Sequence, residues 1–439
     1  MPHSILILGA GRSSSSLISY LFDKQLELDL HIIVGDISLA AAQEKVKTKG
    51  KAIAFDIANK EESKAAISAC DSVISLMPAV LHTQVAELCI ELKKHLLTAS
   101  YVSEKMKSFD AEAKKAGLLF LNECGLDPGL DHMTAMQLID TIKEKGGTIE
   151  SFESFTGGLI APTTDQQNPW RYKFTWNPRN VVLAGQGTAK FLEQSKPKYI
   201  SYQQLFKRTT SVSIPNLGEF EGYANRDSLS YLEAYGLQSV KTMIRGTLRN
   251  KGYCAAWDIF VQLGCTDDSY AIDVTNLTHR DFIELFLPSN ANQLTEQKII
   301  TLFSLPKESH PLDCLKWSGF FDNELIGLQS GTPAQILEHI LDKKWKLKTK
   351  DKDLVVMWHR FTYRLDNQLH EIQATVSAVG DNSIHTAMAK TVGLPLAIAT
   401  KLLIQNKIKQ RGVVIPTMKE IYEPVLNELK ELGIELKHG

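Results

Sequence analysis

What the chain lacks narrows its chemistry first. Its six cysteines (Cys70, Cys89, Cys124, Cys254, Cys265, Cys314) form no CxxC pair. That argues against a zinc centre or a disulfide framework and fits a reducing compartment. Charge of one sign is also missing: 49 Lys and Arg stand against 50 Asp and Glu, a formal net charge of -1. No basic field is therefore available to recruit nucleic acid or anionic lipid. No apolar run approaches the roughly 18 residues of a membrane span, and the run in "MPHSILILGAGRSSSS" is too short for a signal peptide. A cytoplasmic address is expected, with neither membrane nor nucleic acid as partner. Repeats, low-complexity tracts and long linkers are absent as well.

What is present is an ordinary globular composition, 44% hydrophobic and 23% charged over 439 residues, long enough for two or three domains. From residue 4 to 123 short apolar runs alternate with amphipathic segments. The runs are "SILILG" (4–9), "LHIIVGD" (30–36), "KAIAFD" (51–56), "DSVISLM" (71–77), "HLLTAS" (95–100) and "GLLFLNE" (117–123). Near-continuous apolar strands joined by helices predict an α/β fold: a doubly wound parallel sheet of Rossmann type, covered on both faces. The first run ends in "GAGRSSSS", where Gly9 and Gly11 supply the first two glycines of a dinucleotide fingerprint and Ser14 replaces the third. Arg12 beside them either touches a pyrophosphate or caps the turn. Asp36 closes the second run, and an acid there suits ribose hydroxyls and repels a 2′-phosphate, so NAD is expected over NADP. Ligands of such sheets lie beyond the carboxyl ends of the strands. Here those ends are Gly9–Arg12, Asp36, Asp56, Ser75–Met77, Ala99–Tyr101 and Glu123–Pro128.

The last of these ends runs into "NECGLDPGLDHMTAM" (122–136). Taken locally, Asp127 before Pro128 is a helix cap; its place on the rim gives it a functional alternative. Asp131 and His132, one turn further, read as structural. No metal site is expected from these three, since no ligand motif supports one. His82, at the exit of the fourth run, reads as a cap or a supporting group, and His359 as packing. Trp170, Tyr172, Phe174 and Trp176 alternate as in a strand and read mostly as core or dimer surface. The charge run "DKKWKLKTKDKD" (342–353) reads as a solvated face and turn between a helix and a strand.

The segments "TASYVSEKM", "NECGLDPGLDHMTAMQLID", "NPWRYKFTWNP", "YANRDSLSYLEAYG", "IRGTLRNKGY" and "AMAKTVGLPLAIATKLL" together resemble the saccharopine dehydrogenase (L-glutamate-forming) family. The resemblance runs from the first strand to "KEIYEPVLNELKELGIEL". It implies a Rossmann domain over 1–130 and an α/β substrate-binding and dimerisation domain over 131–395, with a helical insertion at about 253–345. Helices over 396–439 would return to the Rossmann domain. The family includes free-standing NADP enzymes and NAD-using domains fused to a reductase; this chain is expected to be free-standing, and "VGDIS" resembles the NAD version.

By resemblance, Ser100, Tyr101, Asp127, Arg226, Thr247, Leu248 and Arg249 contact substrate. Gly9, Gly11, Arg12, Ser13, Asp36, Asp56, Ile57, Ser75, Leu76, Met77, Ala99, Ser100, Leu126, Asp127 and Pro128 contact the dinucleotide. Thr156 stands where the family often has a cysteine, so no thiol role transfers.

The implied reaction moves hydride from saccharopine to the nicotinamide; water then releases L-glutamate and 2-aminoadipate 6-semialdehyde. Saccharopine carries three carboxylates, and Arg226, Arg245 and Arg249 supply the planar cations that bind such groups in a fork. Asp127 and Tyr101 are the polar groups placed at the reacting nitrogen as catalytic residues; whether a dedicated general base exists is left open. A homodimer is implied. Two alternatives stay in view: a dehydrogenase of carboxynorspermidine or carboxyspermidine type, and a non-catalytic NAD-binding regulator of the same fold.

Overall fold

The computed structural model describes residues 2–290 and 292–438. Contacts divide the chain into two compact units, Met1–Thr148 with Val376–Lys437 and Ile149–Thr375 with His438–Gly439.

The first unit is built on six strands from the apolar runs: β1 (His3–Leu8), β2 (Leu30–Asp36), β3 (Lys51–Ala54), β4 (Ser72–Ser75), β5 (His95–Thr98) and β6 (Leu119–Leu121). A seventh, Gly412–Val414, comes from near the C-terminus and adds to β6 at the edge. The order across the sheet is Gly412–Val414, β6, β5, β4, β1, β2, β3, and every pairing is parallel. Ile5, Leu6, Ile7 and Leu8 of β1 are all fully buried, as a central strand with helices on both faces requires. Strand progression reverses between β1 and β4, and that reversal opens the crevice in which such sheets take their ligands.

Three expectations are corrected here. The sixth run forms a strand only over Leu119–Leu121, because Glu123 adopts φ +53° and leaves the extended region. The first boundary falls after 148 and not near 130, and the return comes at 376 and not 396. Helix Leu130–Glu144 belongs to the first unit: its buried Met133, Ile139 and Ile142 pack inward, and its Asp140 accepts from Tyr422 Oη at 2.5 Å. Finally, helix Ala387–Ile404 is long and apolar enough by length and composition to cross a membrane, yet it is 78% buried. It is a core helix, with Gly393 set against the Leu17 backbone; a Cβ at that glycine would lie 2.9 Å from Leu17 N.

The second unit holds a mixed sheet in which Thr242–Asn250 runs parallel to Thr148–Ile160 and antiparallel to Gly218–Ala224. Registry places Arg245 opposite Ser154 and Thr247 opposite Thr156 on one side, and Thr247 opposite Tyr223 and Arg249 opposite Glu221 on the other. Because side chains alternate along a strand, Arg245, Thr247 and Arg249 share one face of the sheet. Leu248 points to the other, into a cluster with Phe155, Phe220, Val356 and Trp358. Residues 253–345 contain helices Tyr253–Leu263, His279–Glu284, Thr295–Phe303, His310–Trp317 and Pro333–Trp345. They enclose an aromatic core of Trp170, Tyr253, Trp257, Phe260 and Trp345.

The stripe read as strand-like forms no strand; only Phe174 makes an isolated bridge, to Lys346. Trp170, Tyr172 and Phe174 are nonetheless buried. The aromatic core gives the burial without any strand, and Arg171 within the stripe adopts φ +48°. His359 is fully buried between Phe152 and Phe361, a packing role.

Candidate active site

The glycine turn shows which of its residues the protein needs for its own fold. Gly9 sits at φ +106°, and a Cβ there would lie 2.9 Å from the Leu76 carbonyl oxygen. This glycine is imposed by the close approach of Leu76, just beyond β4, to the end of the parallel strand β1. Gly11 is different: its φ is an ordinary -69°, and a Cβ would meet nothing within 4 Å. Local packing gives no reason for a glycine at 11, whereas close approach of a phosphate to the backbone does. A dinucleotide pyrophosphate therefore fits the turn from Gly9 to Ser13. Ser14, in the third glycine's place, is buried and donates its hydroxyl to Gly11 O at 2.8 Å. Gly393, on helix Ala387–Ile404, lets that helix approach the backbone of Ser13 and Leu17 just after the turn.

Asp36 accepts from Ala10 N–H at 2.7 Å and from Ser38 N–H at 2.9 Å. Its carboxylate thus braces the glycine turn from the neighbouring strand. Asp56 is exposed at the end of β3 and accepts from Ala58 N–H at 3.0 Å, while Ile57 is buried in the apolar cluster beneath. Any contact of Ile57 with a ligand is confined to its main chain.

Further along the rim, His82 opens a helix (His82–Leu92) and is buried. Its Nδ1 lies 2.8 Å from Ser75 Oγ at the exit of β4, and its Nε2 lies 2.7 Å from Ser100 Oγ beyond β5. Burial pushes the imidazole pKa down to about 4, so the ring is neutral at physiological pH. Its placement at the fourth strand's exit was legible in the sequence; that it ties two rim serines together was not. Next to Ser100, Tyr101 donates its hydroxyl to Asp127 Oδ1 at 3.1 Å. The two residues proposed at the reacting nitrogen are thus already paired, both half-buried on the rim.

Asp127 does not cap the following helix. That helix starts at Leu130, with Gly129 as its N-cap at φ +146°, and the Asp127–Pro128 peptide is cis. A Cβ at Gly129 would fall 2.2 Å from Gly125 N, because the loop folds back on itself: Gly125 N–H donates to Pro128 O and Leu130 N–H to Gly125 O. Buried polar groups anchor this loop. Glu123 accepts from Val102 N–H at 2.9 Å and meets His132 Nε2 at 2.9 Å. Asp131 lies 3.6 Å from His132 Nδ1 and accepts from Gly129 N–H at 2.6 Å. Asp131 and His132 therefore do structural work, as their position suggested. Glu123, given no role in advance, is the third member.

In the second unit Arg249 is buried. Its guanidinium carbon lies 5.1 Å from the ring centre of Tyr172, 5.2 Å from that of Tyr253 and 5.8 Å from that of Tyr223. Nη1 donates to Leu248 O at 2.9 Å, while Nε has no hydrogen-bond partner among the described residues. A cation held by aromatic faces with a donor unused is arranged to receive an anion. Thr156 Oγ1 on the adjacent strand is likewise buried without a partner among the described residues. Thr247 is half-buried between Thr156 and Tyr223, and Arg245 lies over the Tyr231 ring at 4.3 Å. Arg226 is exposed at φ +48°, outside the strands, with its carbonyl accepting from Lys190 N–H at 2.7 Å. Leu248 needs correction as a substrate ligand: its side chain belongs to the apolar face, so only its main chain is available, and its carbonyl already serves Arg249.

A parallel sheet with this glycine turn and polar rim defines a dinucleotide-binding oxidoreductase fold. Residues 5–121 match the model for the saccharopine dehydrogenase NADP binding domain, and residues 125–434 match that for the saccharopine dehydrogenase C-terminal domain. The chain belongs to the saccharopine dehydrogenase family.

It is 35% identical over 442 residues to the mitochondrial alpha-aminoadipic semialdehyde synthase of Mus musculus, covering 98% of this chain and 47% of that protein. It is 32% identical over 447 residues to the saccharopine dehydrogenase (NADP(+), L-glutamate-forming) of Saccharomyces cerevisiae, covering 100% and 99%. The chain spans about half the length of the synthases it matches (47% of the mouse protein) and nearly all of the fungal dehydrogenases. Among solved structures, the apo saccharopine dehydrogenase (L-Glu forming) of Saccharomyces cerevisiae superposes with TM-score 0.88 at 31% identity, over 100% of this chain and 99% of that one. A homospermidine synthase of Legionella pneumophila, at 12% identity and TM-score 0.58, shares the fold alone.

The expectation of NAD over NADP is overturned by these matches: the N-terminal model is an NADP binding domain, and the fungal relatives are named for NADP(+). Asp36 accepts from Ala10 N–H and Ser38 N–H, so an acid at this position has a use in the turn besides any contact with a ribose.

Proposed function

We propose that this chain interconverts saccharopine and water with L-glutamate and 2-aminoadipate 6-semialdehyde, using a nicotinamide dinucleotide in the NADP form that its fungal relatives' names carry. What supports the substrate class is the full-length relationship to the Saccharomyces cerevisiae enzyme. The single geometric observation that carries the chemistry is the Tyr101–Asp127 hydrogen bond, 3.1 Å, on the rim of the dinucleotide sheet.

The bound dinucleotide supplies hydride exchange; the protein supplies position and electrostatics. The turn from Gly9 to Ser13 would hold the pyrophosphate on backbone N–H groups. Asp127, an acceptor already fixed by Tyr101, would hold the N–H of the secondary amine or orient the attacking water, and the Tyr101 hydroxyl would hydrogen-bond the oxygen that water delivers. Arg249, in its tyrosine box, would bind one substrate carboxylate through its unused Nε–H. Arg226 and Thr247 are proposed for the remaining carboxylates on the strength of their motifs. The chain is further proposed to act as a cytoplasmic homodimer, which sedimentation and cell fractionation would read.

The deciding experiment follows absorbance at the NADPH and NADH wavelength in both directions, with saccharopine in one and glutamate plus the semialdehyde in the other. Turnover with NADPH well above NADH supports the reading. Turnover mainly with NADH keeps the reaction and rejects the NADP assignment. Saccharopine binding without turnover rejects the enzyme and favours a regulator.

A further inference from the structure

His82 joins the exits of two neighbouring strands with unusual economy. Ser75 is the last residue of β4 and fully buried; Ser100 lies just beyond β5 and is half-buried. Ser100 is already fixed along its backbone: its N–H donates to Thr98 Oγ1 at 3.2 Å, and its carbonyl accepts from Glu123 N–H at 3.0 Å. Only its hydroxyl remains to be set. A neutral imidazole has one N–H and one lone pair. With Ser75 Oγ 2.8 Å from one nitrogen and Ser100 Oγ 2.7 Å from the other, one hydroxyl must donate to the ring while the other accepts from it. Thr98 Oγ1, at 3.4 Å from Nε2, is a weaker third neighbour on the Ser100 side.

We propose that His82 is a positioning residue for the reaction, fixing the hydroxyl of Ser100 on the rim through a hydrogen-bonded chain that begins at Ser75. This rests on the function proposed above for what Ser100 touches; the hydrogen-bond chain itself is a property of the fold. The ring is too buried to reach a ligand itself, so its influence passes through Ser100. An alternative, purely architectural use of His82 as a pin between strand ends would make its loss independent of the Ser100 hydroxyl.

A double-mutant cycle separates the two. Ser100→Ala, His82→Phe and the combination are compared by kcat and KM for saccharopine, and by the Kd of NADPH from its fluorescence. Each single variant is expected to lose about tenfold in kcat/KM, mostly in kcat, as for one oriented hydrogen bond. The combination is expected to be no worse than Ser100→Ala, because orienting an absent hydroxyl has no value. His82→Gln, which keeps a donor and an acceptor on one side chain, is expected to recover part of the loss. The proposal is overturned if the single effects multiply toward about a hundredfold. It is also overturned if His82→Phe keeps wild-type kcat with an unchanged melting temperature. If His82→Phe does not fold, the cycle is run with His82→Gln; failure of that variant to fold as well marks a structural role and overturns the proposal. Should the wild type bind NADPH without oxidising saccharopine, the functional reading falls. The same non-additivity in NADPH affinity then decides the role of His82 by itself.

Discussion

Four buried polar groups beside the first unit's sheet and two in the second unit differ in how far the protein satisfies them. In the first, Glu123, Asp131, His132 and His82 are buried, and each already has protein partners within hydrogen-bond or ion-pair reach. In the second, Arg249 Nε and Thr156 Oγ1 are buried with no hydrogen-bond partner among the described residues. A satisfied network fixes a loop whether or not a ligand arrives, whereas an unsatisfied donor in low dielectric costs stability until something accepts from it. The networks of His82, Glu123, Asp131 and His132 are therefore preformed, whereas Arg249, under the function proposed above, is a group whose value appears on binding.

The strongest way to break that contrast is at Arg249. Arg249→Met keeps the stem's volume and removes an unsatisfied cation, so saccharopine kcat/KM should drop about a hundredfold while the melting temperature holds or rises. A large fall in melting temperature together with normal KM would show that Arg249 serves the core instead. Arg249→Lys should restore little, since an ammonium offers no planar fork.

The glycine turn sharpens the contrast within the first unit. Gly9→Ala forces a Cβ to 2.9 Å from Leu76 O at a positive φ and should destabilise by about 2 kcal/mol in urea unfolding. Gly11→Ala meets nothing within 4 Å, so its unfolding curve should overlay the wild type while NADPH affinity falls. Equal effects on stability would undo the claim that Gly11 serves a ligand.

Asp127→Asn comes next. It keeps the hydrogen bond from Tyr101 but removes the charge, and kcat should fall about tenfold with an altered pH profile. Near-normal kcat with an unchanged profile would remove Asp127 from the chemistry.

The smallest effect concerns pH and stability. His82 and His95 are both held near a pKa of about 4 in the folded chain, chiefly by burial, against an ordinary 6.5. The unfolded chain therefore binds protons that the folded chain refuses between those values. Stability is full above pH 6.5 and declines as the pH falls toward 4. Replacing His82 by Gln should remove about 1 kcal/mol of that decline by pH 5.5 in urea titrations. An identical decline in the variant would mean that His82 is not held neutral.

Much of this was legible in the chain itself. Apolar runs of six or seven residues with helical spacing between them define parallel strands because a strand covered on both faces has no polar side to show. Gly9, Asp36, Ser75, Ser100, Tyr101 and Asp127 were placed on the rim simply because strand ends face the ligand side. Local rules failed where distant segments intervened. Asp127–Pro128 reads as a helix start, yet Gly129 folding back on Gly125 moves the start to Leu130. Leu248 sits in a binding motif, yet strand alternation turns it into the core. Asp36 reads only as a ribose ligand, yet it also accepts from Ala10 N–H beyond the adjacent strand.

By itself the sequence determined the dinucleotide sheet, its direction and the rim residues, since hydrophobic period and glycine position are local properties of the chain. Only the tertiary structure decided what those residues are tied to. Gly393 was set against the Leu17 backbone, His82 was set between Ser75 and Ser100, and Gly412–Val414 was added beside β6. Each pairing joins segments whose proximity arises from packing and registry, and no local pattern in the chain encodes a partner chosen that way.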